Sequence, residues 1–202
     1  MKSVLISIKP KWCELIASCK KTIEVRKTRP KLETPFKCYI YCTKDKGISF
    51  WTGKRYAYAD DRSHNLFDVC GNGKVIGEFV CRNMTCIQAD IDSQGEKHLY
   101  NTAFIESRMC LTAEELFNYI YDGRRNIGWG WGISDLVIYD KPKELSEFYK
   151  YCGDNPDCYS CNVYCYSNTE YGLEDYCCSK IDGCRPVNRP PQSWCYVEEP
   201  EE

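Results

Sequence analysis

Cys19-Lys20-Lys21-Thr22-Ile23-Glu24-Val25-Arg26 is the stretch that decides how this chain is read. From Thr22 the residues alternate, with Ile23 and Val25 on one side of an extended segment and Thr22, Glu24 and Arg26 on the other. That predicts a strand over 22–26 whose polar set faces away from the core. Lys21 is one residue off the alternation and enters from the preceding turn. A carboxylate flanked by a lysine and an arginine can grip a phosphate and read a base edge. The same three residues can also form a structural ion pair with neighbouring strands. Burying three charges is costly, so they are expected to line one solvated cleft.

Working outward, Ser3–Ile8 is short, rich in branched residues and stops at Pro10, which predicts a buried first strand. Pro10 suits a first helical turn. Trp12, Leu15, Ile16 and Cys19 then recur at helical spacing, predicting a helix over 10–19. Phe36–Cys42 reads as a third strand, and residues 44–72 as a long loop. Residues 73–88 open a long strand. Ala103–Arg108 and Thr112–Tyr121 read as short helices, the second opening on a Thr112/Glu115 capping box. Ile127–Tyr139 is a further strand and Lys143–Tyr149 a short helix. The order is βαβ, β, β, αα, β. It predicts an α+β fold, a mixed and mostly antiparallel β-barrel with short helices outside it.

The overall charge of −2 hides an asymmetry. Residues 1–55 carry 14 Lys and Arg against 4 Asp and Glu, and residues 151–202 carry 3 against 10. A basic head is the footprint of a phosphate-backbone partner, or simply a lysine-rich solvated surface. The apolar run near the start is about five residues, shorter than a signal-peptide core. No stretch approaches the ~20 apolar residues of a membrane span. A soluble, cytoplasmic protein is therefore expected. Trp51, Trp129, Trp131, Trp194 and sixteen tyrosines offer stacking faces for unpaired bases. Trp129 and Trp131 suit a pocket wall or a barrel core equally. His64 and His98 read as surface histidines.

Lys21, Glu24 and Arg26, with Cys19 at the leading position, resemble the signature of the ASCH (activating signal cointegrator homology) family. That signature carries a glycine where Cys19 stands, a position at which only glycine freely adopts positive φ. The departure predicts a slightly different helix-to-strand turn. Ser7-Ile8-Lys9-Pro10, Gly77-Glu78-Phe79 and Trp129-Gly130-Trp131 also look like the family. Lys141–Leu145 and Pro190–Tyr196 resemble a subgroup in phage and mobile-element proteins. The resemblance covers residues 1–150 and 190–198. It implies a PUA-like barrel with a cleft for RNA, other single-stranded nucleic acid or a modified nucleoside. The residues expected to bind are Lys9, Lys20, Lys21, Glu24, Arg26, Trp129 and Trp131. Some relatives resemble amidohydrolases acting on acetylated cytidine, with a threonine in the place of Glu24. Others look like ribonucleases. A catalytic alternative would use Lys21 and Glu24, with Glu106 or Glu115 as a third group.

Of sixteen cysteines, seven fall within residues 152–184, in a segment poor in aliphatics that needs a staple to fold. Cys158-Tyr159-Ser160-Cys161 has the spacing at which two thiolates share a tetrahedral zinc. Cys178 and Cys184 would complete the site, with Cys152, Cys165 and Cys177 in reserve. Residues 151–191 are thus expected to be a zinc-binding insert in a 1–150 domain, with residues 192–198 returning as a final strand. Free or disulfide-linked cysteines and an iron–sulfur cluster are the alternatives. Cys13, Cys38, Cys42, Cys81 and Cys86 read as small core residues.

Overall fold

A computed structural model of the chain describes residues 2–52, 69–103, 106–150 and 186–198. The elements are β1 (Lys2–Ile8), α1 (Pro10–Ala17), β2 (Ile23–Arg26), β3 (Phe36–Cys42), β4 (Trp51–Thr52), β5 (Val69–Cys70), β6 (Val75–Ile91) and β7 (Lys97–Tyr100). There follow α2 (Glu106–Met109), α3 (Ala113–Ile120), β8 (Ile127–Lys143), a 3-10 turn at Leu145–Glu147 and β9 (Trp194–Glu198). The mixed α+β architecture matches the expectation. The helix foreseen over Lys143–Tyr149 is only that single turn, because β8 runs on to Lys143. The short strands β4, β5 and β7 were not legible in the sequence.

The sheet runs β2-β8-β6-β3-β1-β9, with β7 on the far part of β6. Among the described residues only β1 and β3 pair in parallel; the other pairings are antiparallel. Strands β6 and β8 are each 17 residues long, and three register irregularities between them let the ribbon curl. Side chains bridge from the β2 end to the β1–β9 end. Arg26 donates to the Ser7 carbonyl, Trp194 Nε1 donates to Thr28 Oγ1 at 3.1 Å, and Lys31 N–H donates to the Tyr196 hydroxyl at 2.6 Å.

Two apolar layers position the site. The barrel core gathers Val4, Ile6, Ile40, Ile76, Phe79 and Trp131 under α1. A second layer packs Ile23, Val25, Ile87 and Ala89 against Met109, Leu116, Phe117 and Ile120 of the outer helices. Each buried side chain of this size is worth about 1.5–3 kcal/mol, so this layer is what seats α3 on the sheet. Gly128 admits it: a Cβ there would lie 2.7 Å from Ile120. At the start of α3, Glu115 N–H donates to Thr112 Oγ1 (3.1 Å) and Thr112 N–H to Glu115 Oε2 (2.9 Å), the expected capping box.

The turn between α1 and β2 keeps the glycine-type geometry despite Cys19. That residue has φ 57°, Lys20 N–H donates to the Leu15 carbonyl, and Cys19 N–H donates to that of Ile16. These two bonds form a Schellman cap, so the departure from glycine strains the turn without altering it. Helix α1 buries Pro10, Cys13 and Ile16, which shifts the core face foreseen from Trp12, Leu15, Ile16 and Cys19 and leaves Trp12 partly exposed. Burial holds the thiols of Cys13 and Cys38 well above their ordinary range and pushes Cys81 up to about 11. They fill space as neutral groups.

Candidate functional site: a cleft beside the β2 edge

Both layers meet at β2, and their geometry reverses one expectation. In register, Glu24 lies opposite Trp131 and Arg26 opposite Trp129, while Ile23 and Val25 lie opposite glycines. Opposed residues share a face. Glu24 and Arg26 therefore turn toward the barrel side, and the apolar pair turns outward beneath α3. The sequence predicted the opposite, because it treated the barrel as the only core; the outer helices supply a second.

Lys21, Glu24 and Arg26 form a chain of charges. Lys21 Nζ lies 3.4 Å from Glu24 Oε2, and Arg26 Nη2 lies 3.0 Å from Glu24 Oε1. Lys21 is 2% exposed and Glu24 5%, so both are buried rather than solvated, while Arg26 is partly buried. Two main-chain carbonyls offset part of the desolvation: Lys21 Nζ donates to that of Met109 at 2.6 Å and Arg26 to that of Ser7. The helix–turn that precedes β2 and the α2 end therefore fix the ammonium, while β1 fixes the guanidinium.

Burial in a network and a place in a cleft prove compatible. The triad forms the floor of a cleft of about 630 Å³. Its walls come from α1, α3 and the Pro190–Gln192 segment that leads into β9. The rim is held by Ser7 Oγ, which donates to the Pro191 carbonyl at 2.7 Å. Two aromatic side chains stand in the walls, Trp12 and the exposed Tyr119. The Trp12 ring lies 4.1 Å from Lys11 Nζ and 5.1 Å from Lys21 Nζ. Two polar atoms of the floor, Glu24 Oε2 and Arg26 Nε, have no hydrogen-bond partner among the described residues.

Of the residues expected to bind, Lys9, Lys21, Glu24 and Arg26 line this cleft. Lys20 is exposed outside its lining, and Trp129 lies under Arg29, whose guanidinium is 4.5 Å from the ring centroid. Trp131 is fully buried in the barrel core, 5.9 Å from Phe36, and has no free face to offer a base. That corrects the expectation for Trp131: a tryptophan flanked by glycines on a central strand fills the barrel. The aromatic walls come instead from Trp12 and Tyr119, whose positions just outside the buried rows of α1 and α3 were the only signal in the sequence. Glu115 lines the cleft, but its Oε2 is held by the cap of α3. Glu106 lies elsewhere, accepting from Thr102.

The cysteines of 152–184 and His64 lie outside the described residues. Among the described residues no cluster of three or more metal-ligating side chains occurs, and no helix is long and apolar enough to cross a membrane. His98 is a partly exposed partner of Asp92 at 2.9 Å.

A scan against protein-family models gives no match, and neither does a search of curated proteins. Solved structures do match. The crystal structure of ASCH from Zymomonas mobilis aligns over 98% of this chain and 88% of that one, at 14% identity and a TM-score of 0.50. The chain has the ASCH fold. A serine-to-alanine mutant of the same protein aligns over 98% of this chain and 89% of that one, at 14% identity and a TM-score of 0.48. A tyrosine-to-phenylalanine mutant aligns over 72% and 77%, at 17% identity and 0.44. In this ASCH fold the Lys21–Glu24–Arg26 stretch is the edge strand and floor of the cleft just described.

Proposed function

We propose that the chain binds single-stranded nucleic acid, RNA in the first instance, or a modified nucleoside, through the cleft floored by Lys21, Glu24 and Arg26. The observation that carries this reading is Glu24. Its carboxylate is 5% exposed, faces a cleft of about 630 Å³, and leaves Oε2 without a hydrogen bond among the described residues. Lys21 Nζ offsets part of its charge from 3.4 Å, and a ligand N–H would supply the hydrogen bond that it lacks. The volume falls in the range of small-molecule sites, and the rings of Trp12 and Tyr119 suit a flat base.

The test is the anisotropy of a labelled single-stranded RNA titrated with the protein at several salt concentrations, then competed with free nucleosides. Binding should weaken as salt rises, because neutralised phosphates release counterions. Nucleosides should displace the RNA if a base occupies the cleft. Absence of binding to RNA and to nucleosides at low salt would overturn the proposal.

A second reading, hydrolysis of RNA or of a modified nucleoside, is favoured by one feature: a buried lysine 3.4 Å from a buried carboxylate in the same cleft. Both groups touch the space a substrate would fill, and Glu115 stands in the wall as a third carboxyl. Product formation abolished by Lys21→Met would support this reading. We further propose that Cys158, Cys161, Cys178 and Cys184 hold a structural zinc, a reading that rests on the C-x-x-C spacing alone.

A further inference from the structure

We propose that the free main-chain edge of β2, at Val25, reads the pairing edge of one base, so that the cleft selects a base whose Watson–Crick N–H is neither methylated nor paired. This rests on the reading of the cleft as a site for nucleic acid or a nucleoside, and it names the element that does the reading.

The ground is the hydrogen-bond parity of β2. Among the described residues this strand is a sheet edge, laddered to β8 alone. The Ile133 N–H donates to the Thr22 carbonyl at 2.9 Å, and Ile23 lies opposite Gly132. Bonded and non-bonded pairs alternate along an antiparallel ladder, so Glu24 and Arg26 direct their main-chain groups at β8. The N–H and C=O of Ile23 and Val25 therefore point off the edge of the sheet. Tyr119 confirms the direction: its hydroxyl meets the main-chain N–H of Lys27, the next residue of the same parity. Val25 lines the cleft, and Ile23 does not. No hydrogen bond among the described residues takes up the Val25 N–H or C=O. Yet Val25 is only 4% exposed, so this donor and acceptor are shielded from bulk water. Buried main-chain groups are almost always paired, and the partner that this position admits is a ligand in the cleft.

Only one residue of the edge is open. Before it, the Thr22 N–H donates to the Arg108 carbonyl of α2 at 3.0 Å. After it, Tyr119 closes on Lys27. A peptide strand adds to a sheet through several consecutive open positions, which β2 does not offer. One N–H beside one C=O fits instead a flat group with its own adjacent acceptor and donor, as on the pairing edge of a base. The unpartnered Glu24 Oε2 and Arg26 Nε place a second acceptor and donor beside the first pair. Trp12 and Tyr119 stand in the walls, where rings can cover a base. These contacts use the edge that a complementary strand would occupy, so a base in a duplex is excluded.

The experiment titrates the full chain calorimetrically with the four ribonucleosides and the four RNA homodecamers. The tightest binder is then remade with every pairing-edge N–H methylated and, separately, with 2′-O-methyl groups. Edge methylation should weaken binding about tenfold or more, and 2′-O-methylation less than about threefold. Val25→Ala and Val25→Pro separate main chain from side chain. Both lose the buried side chain, but only proline lacks the N–H, and a sheet edge tolerates proline where that N–H has no ladder partner. The proline variant should bind about tenfold or more weakly than the alanine variant. The Val25 amide resonance of isotope-labelled wild-type protein reads the same contact without a substitution, and it should move downfield as the binder is added. Should Val25→Pro fail to fold, the methyl series and this resonance decide. An edge-methylated probe that binds within about twofold of its parent, or a Val25 amide that stays in place at saturation, would overturn the main-chain contact and leave the wider reading standing. A capped valine–threonine tetrapeptide that moves this amide where no nucleoside or RNA binds would overturn both and assign the edge to a peptide. No binding by any nucleoside or RNA would likewise overturn both.

Discussion

The charge triad predicts an unequal response to removing its members. Glu24 is the middle of the chain, 3.4 Å from Lys21 Nζ and 3.0 Å from Arg26 Nη2. Glu24→Gln keeps the shape but leaves two buried cations with no anion between them. Breaking a buried ion pair from one side costs about 3–5 kcal/mol. The two cations that flank the lost carboxylate also repel one another, which places the cost toward the upper end. For a chain of this size that is a fall in Tm of about 6–20 °C. Lys21→Met is different. It removes the Lys21–Glu24 pair and the donor of the Met109 carbonyl, but it leaves Glu24 paired with Arg26 and so strands no charge, a loss of about 1–3 kcal/mol. The double variant should cost less than the sum of the two, because each single change removes the same pair. Urea denaturation followed by circular dichroism at pH 7 measures all three. Glu24→Gln costing less than Lys21→Met, or additive single effects, would show that Glu24 is not the shared partner of the two cations.

Cys19→Gly should raise stability by about 0.5–1 kcal/mol in the same assay, because it relieves a left-handed conformation at φ 57° while adding unfolded-state entropy. The Cys81 thiol, pushed by burial from 9.0 to about 11, contributes stability below the unfolded thiol's pKa that is lost as pH rises from about 9 to 11. The urea midpoint should therefore fall over that window, and fall less in Cys81→Ala. Elemental analysis of the purified protein should find about one zinc per chain, lost in Cys158→Ser or Cys161→Ser; a metal-free protein with mapped disulfides would remove that proposal.

Local signals carried most of the fold. The strand over Ile23–Arg26, the capped helix behind Thr112 and the long strand opening near Val75 are set by alternation, capping chemistry and branched residues acting within a few positions. What the sequence hid was tertiary. The direction in which Glu24 points depends on which side of β2 carries more apolar cover, and Met109, Leu116 and Ile120 decide that from 80 or more residues away. The same reason moved the aromatic walls from Trp131 to Trp12 and Tyr119. A ring becomes core or wall according to what packs over it, and spacing does not record that. The strand β7, four residues with only Leu99 packed inward, offers too little pattern to be read.

The proposed function places a base in the cleft between Trp12 and Tyr119, over Glu24. Tyr119→Ala tests it most directly, since this ring stands in the cleft wall on the exposed side of α3 and its loss spares the buried layer beneath. Measured against the same single-stranded RNA under identical salt, with Tm as the control, the variant should bind about 1–3 kcal/mol more weakly, the value of one stacked base, at nearly unchanged Tm. Unchanged affinity in a folded Tyr119→Ala protein would contradict the account.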